Sequence, residues 1–172
     1  MSEAKIKTHA DFVLPPSVVT KVDISRLVSE VERVDNEMTE KSVREKVGAT
    51  QDGQVTMSPA LTDFLSSNNV SLEHSHDRSD LIKQLRLLKD NVRVIHMTFA
   101  VVADHESLQQ IVDWVRTTVY AQAVIEVGLQ PSLIAGVYLR TPNHVKDLSL
   151  RSMFEGRRQI LVDQLEAFRA SK

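Results

Sequence analysis

Residues 130–151, QPSLIAGVYLRTPNHVKDLSLR, constrain what this chain can fold into more than any other stretch. Leu133, Ile134, Val137 and Leu139 sit among Ala135, Gly136, Tyr138 and Arg140, the make-up of a well-covered strand. Gly136 interrupts it. A glycine inside a strand costs about 0.5–1 kcal/mol relative to alanine, so it belongs where a neighbouring element comes too close for a side chain. No phosphate-cradling run of glycines accompanies it, and the expected neighbour is a core helix rather than a ligand. Thr141, Pro142 and Asn143 form a turn, after which Asp147 and Ser149 are placed to open a last helix.

The elements before this stretch extend the pattern. Residues 92–102, VRVIHMTFAVV, read as a first strand, and Asp104 and Glu106 favour the start of a helix reaching about Tyr120. Leu108, Ile111, Val112, Val115 and Val119 make its apolar face, with Trp114 on the flank. Residues 123–129, AVIEVGL, read as a second strand. The short connection through Pro131 implies antiparallel pairing of the second and third strands. The last helix, from about Asp147 to Ala170, carries Leu148, Met153, Phe154, Ile160, Leu161, Leu165 and Phe168 against a basic set of Arg151, Arg157, Arg158 and Arg169. The order is β-α-β-β-α, with two helices expected on one face of a small sheet.

The amino-terminal half has a different period. Residues 1–22 read as an irregular or extended arm, because Pro15 and Pro16 exclude a helix there. From Asp23, taken as a cap, Ile24, Leu27, Val31, Val34 and Met38 recur at steps of three and four and line one helix face. That seam needs an apolar surface, either the protein's own core or a partner's helix. Residues 48–53 are a loop by composition, and Ser58-Pro59 caps a short helix presenting Leu61, Phe64 and Leu65 that stops at Asn68-Asn69. Another helix from about Ser79 buries Leu81, Ile82, Leu85 and Leu88. The expected class is α+β, with an arm at 1–22, a helical amino-terminal domain at 23–90 and an α/β carboxy-terminal domain at 91–172.

Composition excludes several functions. The chain has 172 residues, 42% of them hydrophobic and 26% charged, enough to bury roughly 70% of its unfolded surface. A net charge of -2 supplies no global attraction to nucleic acid or an anionic membrane. Without cysteine there is no disulfide framework and no thiolate site. No apolar run approaches the ~20 residues of a spanning helix. The first dozen residues lack the apolar core of a signal peptide, so the expectation is a soluble chain held at any membrane by partners. His74, His76 and Asp77 have the best metal-ligand spacing, but no third and fourth ligand is visible, while His96, His105 and His144 are scattered. Neither a nucleophile elbow nor a nucleotide-binding loop occurs, so no enzyme, metal or cofactor is expected.

The motif run 125–151 resembles the carboxy-terminal signature of the ATP synthase delta subunit family, whose mitochondrial counterpart is the oligomycin-sensitivity-conferring protein. The pattern is a hydrophobic strand, Pro-x-Leu-Ile-Gly-Gly, a strand ending in a basic residue, a turn, and Asp-x-Ser-hydrophobic-basic. Gln130, Pro131, Leu133, Ile134, Gly136, Leu139, Arg140, Asp147, Ser149 and Arg151 satisfy it, with Ala135 in place of the first glycine. The resemblance covers residues 92–168 and is weak before them, where the family carries six helices and only three are legible here. It implies a non-catalytic peripheral-stalk subunit at the cytoplasmic face of the bacterial inner membrane. Its implied partners are the alpha subunits of the catalytic head and b-type stalk subunits, with the membrane reached only through them and no nucleic acid bound. Ile24, Leu27, Val31, Val34, Met38, Leu61, Phe64 and Leu65, with the exposed parts of the last helix, are the expected partner-binding surface. The alternative is an RNA- or ribosome-associated adaptor using Arg151, Arg157 and Arg158 on the last helix.

Overall fold

The first long helix begins two residues earlier than Asp23 because Thr20 caps it. In the computed structural model, which describes residues 8–48 and 55–170 (side chains of 161 and 170 excepted), Thr20 Oγ1 accepts the Asp23 N–H at 3.3 Å. The Asp23 carboxylate in turn accepts the Thr20 N–H at 2.8 Å, a reciprocal capping box. Helix α1 then runs Lys21–Lys46, α2 Pro59–Asn68 and α3 Ser75–Asn91. Strand β1 spans Val94–Phe99, α4 His105–Thr118, β2 Val124–Leu129, β3 Gly136–Arg140, β4 Val145–Ser149 and α5 Leu150–Ala170. The class is α+β, helical in the first half with a mixed sheet in the second. The loop expected at 48–53 lies, after Gly48, outside the described residues, as do residues 1–7 of the arm.

Two compact units share the chain, Met1–Arg93 with Leu108–Val124, and Val94–Ser107 with Ile125–Lys172. Most of α4 therefore belongs to the helical unit, whereas the sequence placed it with the sheet. The reason is polar as well as apolar. Val112 and Val115 are buried there, and the Arg116 guanidinium donates to the carbonyls of Ala123, Leu14, Pro15 and Val18. Gln122 adds bonds to the carbonyls of His9, Ala10 and Phe12.

These bonds account for the arm. Residues 8–20 have a single 3-10 turn, His9–Asp11, and otherwise run irregularly as Pro15 and Pro16 require. Phe12, Leu14, Val18 and Val19 are nevertheless buried, so the arm is a component of the core. Its backbone groups are met by side chains: the buried Asn68 accepts the Val13 N–H at 2.8 Å and returns a bond to the Val13 carbonyl at 2.9 Å.

In the same unit α1 lies against α3. Ile24, Leu27, Val31 and Val34 are buried with Leu81, Leu85 and Leu88. Arg78, 4% exposed, bonds Asp35 at 2.6 Å and the carbonyls of Leu72 and Glu73, so its charge is compensated where water cannot reach it. Helix α2 is capped by Ser58 as expected, and the Glu30 carboxylate of α1 holds the Ser58 N–H and hydroxyl at 2.6 Å each. It ends at Asn69, which takes the left-handed conformation at φ 53.

In the second unit the strand order is β2-β1-β3-β4. β3 is antiparallel to both neighbours, with Thr98 opposite Tyr138 and Tyr138 opposite Asp147. The Val124 N–H to the Arg93 carbonyl and the Gln130 N–H to the Phe99 carbonyl share one constant offset, so β2 runs parallel to β1. The expected β2–β3 hairpin is thus replaced by β3 on the far side of β1. The chain turns there through a 3-10 turn, Pro131–Leu133, and a strained Ile134 at φ 68, ψ −56. Strand β4 was not anticipated, because the last helix was expected to start at about Asp147, directly after the turn at 141–143.

Candidate interaction surface

Ile134, which the sequence placed within a strand, occupies a three-residue turn closed by the Ala135 N–H to the Leu133 carbonyl at 2.8 Å. This hand of turn is rare for a β-branched residue. Leu133 is buried beneath it, while Ile134 and Pro131 are exposed. The turn delivers Gly136 opposite Ser149, and the Leu150 N–H reaches back to the Ala135 carbonyl at 2.9 Å. Gly136 sits at φ +94, and a Cβ there would stand 2.4 Å from the Leu148 carbonyl oxygen and 2.9 Å from Ser149 Cα. Close approach was expected at this glycine. Its cause is the backbone of β4, not a core helix.

Asp147 and Ser149 complete the same joint. The Asp147 carboxylate accepts the Ser149 N–H at 2.8 Å, and Ser149 Oγ, buried, accepts the Ser152 N–H at 3.2 Å. Ser149 is therefore the cap of α5. Asp147 lies in β4, three residues before the helix it was expected to open, and steadies the cap. Hydrogen bonds from the Ser149 hydroxyl and N–H hold the Asp147 carboxyl below the usual carboxylate range, with Arg151 contributing a smaller attraction. Of the motif residues, Ile134, Gly136, Asp147 and Ser149 converge here. Arg140 stands at the opposite end of β3, paired with His96 and Val145, and Arg151 is taken by Glu155 at 3.0 Å on the surface of α5.

The joint launches a helix whose apolar side chains face water. Met153, Phe154 and Ile160 are just over half exposed, and Leu165 and Phe168 reach 68% and 69%. The expected burial of this set, with Leu148 at 48%, is thus overturned; the Leu161 side chain lies outside the described residues. The reason is that α5 starts directly from the edge strand β4, the one element with which it makes a substantial contact among the described residues.

The amino-terminal residues expected to meet a partner behave oppositely. Ile24, Leu27, Val31, Val34, Leu61 and Phe64 are buried, and Met38 and Leu65 are partly so. Own-core packing, the other option for the α1 seam, is the one realised, because α3 supplies the apolar surface that residues 47–57 lack. His74 and His76, expected in a solvated polar loop, lie at the start of α3: His74 occupies the N-cap position without a side-chain bond, and His76 pairs with Asp80 at 3.1 Å one turn on. Among the described residues no three metal-ligating side chains come together, and no helix is long and apolar enough to cross a membrane.

Sequence reasoning missed the buried polar residues Asn68 and Arg78 and the half-buried Arg116. Each lies on its helix's own apolar stripe: Asn68 four after Phe64, Arg78 three before Leu81, Arg116 four after Val112. That spacing was a readable signal. Burial pushes the Arg116 pKa down to about 10, with Asp113 opposing, and leaves it charged at neutral pH.

No protein-family model and no curated protein matches the chain.

Proposed function

We propose that this chain is a non-catalytic peripheral-stalk subunit of a rotary proton-translocating ATP synthase, linking the catalytic head to the membrane-anchored stator helices. The observation that carries the proposal is α5. A helix of 21 residues, about 31 Å long, presents Met153, Phe154, Ile160 and Leu165 to solvent. Side chains of this size in water favour a partner, and each would contribute about 1.5–3 kcal/mol if fully covered. An extended apolar contact suits a part that must transmit torque without chemistry, and the motif resembling the delta-subunit signature forms the joint from which this helix springs. In this reading the protein is peripheral, at the cytoplasmic face of the bacterial inner membrane, held by the alpha subunits of the head and by b-type stalk helices.

Affinity purification of the intact chain from native membranes tests it. Head and b-type stalk subunits are expected among the co-purifying chains, and Leu165→Asp is expected to lose the stalk subunits while leaving the fold intact. Recovery of no ATP synthase subunit would refute the proposal. Recovery of RNA, with binding that collapses between low and physiological salt, would favour the adaptor reading through Arg157 and Arg158.

A further inference from the structure

Arginine recurs on the apolar stripes of these helices, and where a stripe is covered, the cover answers the charge. Arg78, three residues before Leu81 on α3, is 4% exposed and meets Asp35 at 2.6 Å, from α1, the helix that lies against it. Arg116, four residues after Val112 on α4, is answered differently. It donates to the carbonyls of Leu14, Pro15 and Val18 in the irregular arm, which no helix engages.

The last helix has the same feature without the cover. Arg157 comes four residues after Met153, three after Phe154 and three before Ile160, so it stands inside the α5 stripe and not on its flank. The acids of α5 cannot reach it along the helix. Glu155, Asp163 and Glu166 lie two, six and nine residues away, outside the spacing of three or four that brings helical side chains together. Arg151, by contrast, has Glu155 four residues on and bonds it at 3.0 Å. Arg157 is exposed and makes no ion pair among the described residues. Whatever covers the stripe takes this guanidinium out of water, and a desolvated charge left alone opposes binding. The cover must therefore bring a carboxylate or unengaged carbonyls. A helical partner has its carbonyls bonded along its own length, which leaves the carboxylate.

We infer that the segment docking on α5 is a helix with an aspartate or glutamate at the border of its apolar stripe, and that this acid pairs with Arg157 and fixes the register of the contact. The inference rests on the stalk reading and gives the chemistry of the stalk helix at this surface. Helix α1 supplies the pattern, since Asp35 follows the buried Val34 and reaches Arg78 from the edge of the seam. An apolar helix without the acid is rejected, because it would bury Arg157 unpaired.

The test uses the full chain to capture b-type stalk subunits from detergent-solubilised native membranes. Arg157→Met keeps the apolar contact but strands the partner's acid, and should weaken capture about 100-fold, whereas Arg157→Lys should keep most of it. Both variants should match the parent by circular dichroism, because position 157 is exposed in the free protein. Arg157→Lys also sets an amine in the contact. A carbodiimide, which joins an amine to a carboxylate touching it, should then link position 157 to an aspartate or glutamate of the stalk subunit, located by mass spectrometry of the joined peptides. If the parent captures stalk subunits and Arg157→Met captures them equally well, or position 157 links to no stalk acid, the inference is overturned while the stalk reading stands. If the parent captures none, the stalk reading fails and the inference with it. Binding of the pure chain to phosphatidylglycerol vesicles that is lost in Arg157→Met would also overturn it, in favour of a lipid phosphate.

Discussion

Gly136→Val tests the joint directly. At φ +94 a side chain of any kind strains the backbone, by about 1–2 kcal/mol for the left-handed region. The added Cβ would also meet the Leu148 carbonyl oxygen at 2.4 Å and Ser149 Cα at 2.9 Å. Both are backbone atoms, so no rotamer change relieves the clash, and overpacking of this kind costs about 1–3 kcal/mol. Together the effects amount to about 2–5 kcal/mol, a large part of a typical domain's stability. At about 2–4 °C per kcal/mol for a chain of this size, the midpoint should fall by about 4–20 °C. Thermal unfolding by circular dichroism measures it, and amide exchange at Val137 and Leu139 shows whether the loss is centred on the β3–β4 ladder. Gly128→Ala is the comparison, because its nearest neighbour is the Thr98 hydroxyl at 3.1 Å, a side chain that can turn aside. If Gly136→Val leaves the midpoint within a degree or two of the parent, or costs no more than Gly128→Ala, the reasoning about this glycine is wrong.

The same geometry sets four further outcomes. Val31→Asp should unfold the isolated chain, since Val31 is fully buried and an unpaired charge there costs several kcal/mol; a folded mutant by circular dichroism would mean that the α1 seam is not core. Arg116→Met should destabilise by about 3–5 kcal/mol in urea titration, because it strips charge-assisted bonds from the carbonyls of Leu14, Pro15, Val18 and Ala123. Gly156→Ala, in a helix with nothing within 4 Å of the new Cβ, should stabilise α5 by about 0.5–1 kcal/mol, read as increased helicity. Asp147→Asn should lower the midpoint near neutral pH but not in acid. The folded pKa of Asp147 is depressed, so its stabilisation is present above the unfolded value of about 3.9 and is lost as pH falls through the lower folded value. A difference that persists unchanged at about pH 2 would exclude the carboxylate as its source.

Helix positions were legible because their signals are local. Ser58-Pro59 and Asn68-Asn69 bound α2 as expected, and the three-and-four spacing of Ile24 to Met38 located α1. Strand partners were not legible, because pairing depends on where the chain goes between strands. The Pro131 connection looked short enough for a hairpin, yet the strained Ile134 carries β3 to the other side of β1. Strand β4 was hidden because Asp147 and Ser149 read as the start of the last helix, a pattern that an exposed edge strand shares. The Gly136–Asp147–Ser149 joint was partly legible, as a close approach and a helix start, but the identity of the neighbour was not.

The contrast between α1 and α5 shows what periodicity leaves open. Both carry apolar residues at helical spacing with charges opposite, and nothing in that pattern says which stripe is covered by the same chain. Coverage depends on whether another element comes back along the helix. Against α1 the chain returns with α3, whose Arg78 and Arg86 bond Asp35 and Glu32 at 2.6 Å each and hold the two helices in contact. Among the described residues, α5 makes its one substantial contact with β4, at its start. Leu165→Asp should therefore cost almost nothing in the isolated protein, because the new carboxylate takes the place of a side chain already 68% exposed. Val31→Asp, the same chemistry on the other stripe, should be ruinous. Paired unfolding curves measure the difference directly. If Leu165→Asp destabilises the free protein as much as Val31→Asp does, the α5 stripe is already covered in solution, and the surface that carries the stalk proposal is not available to a partner.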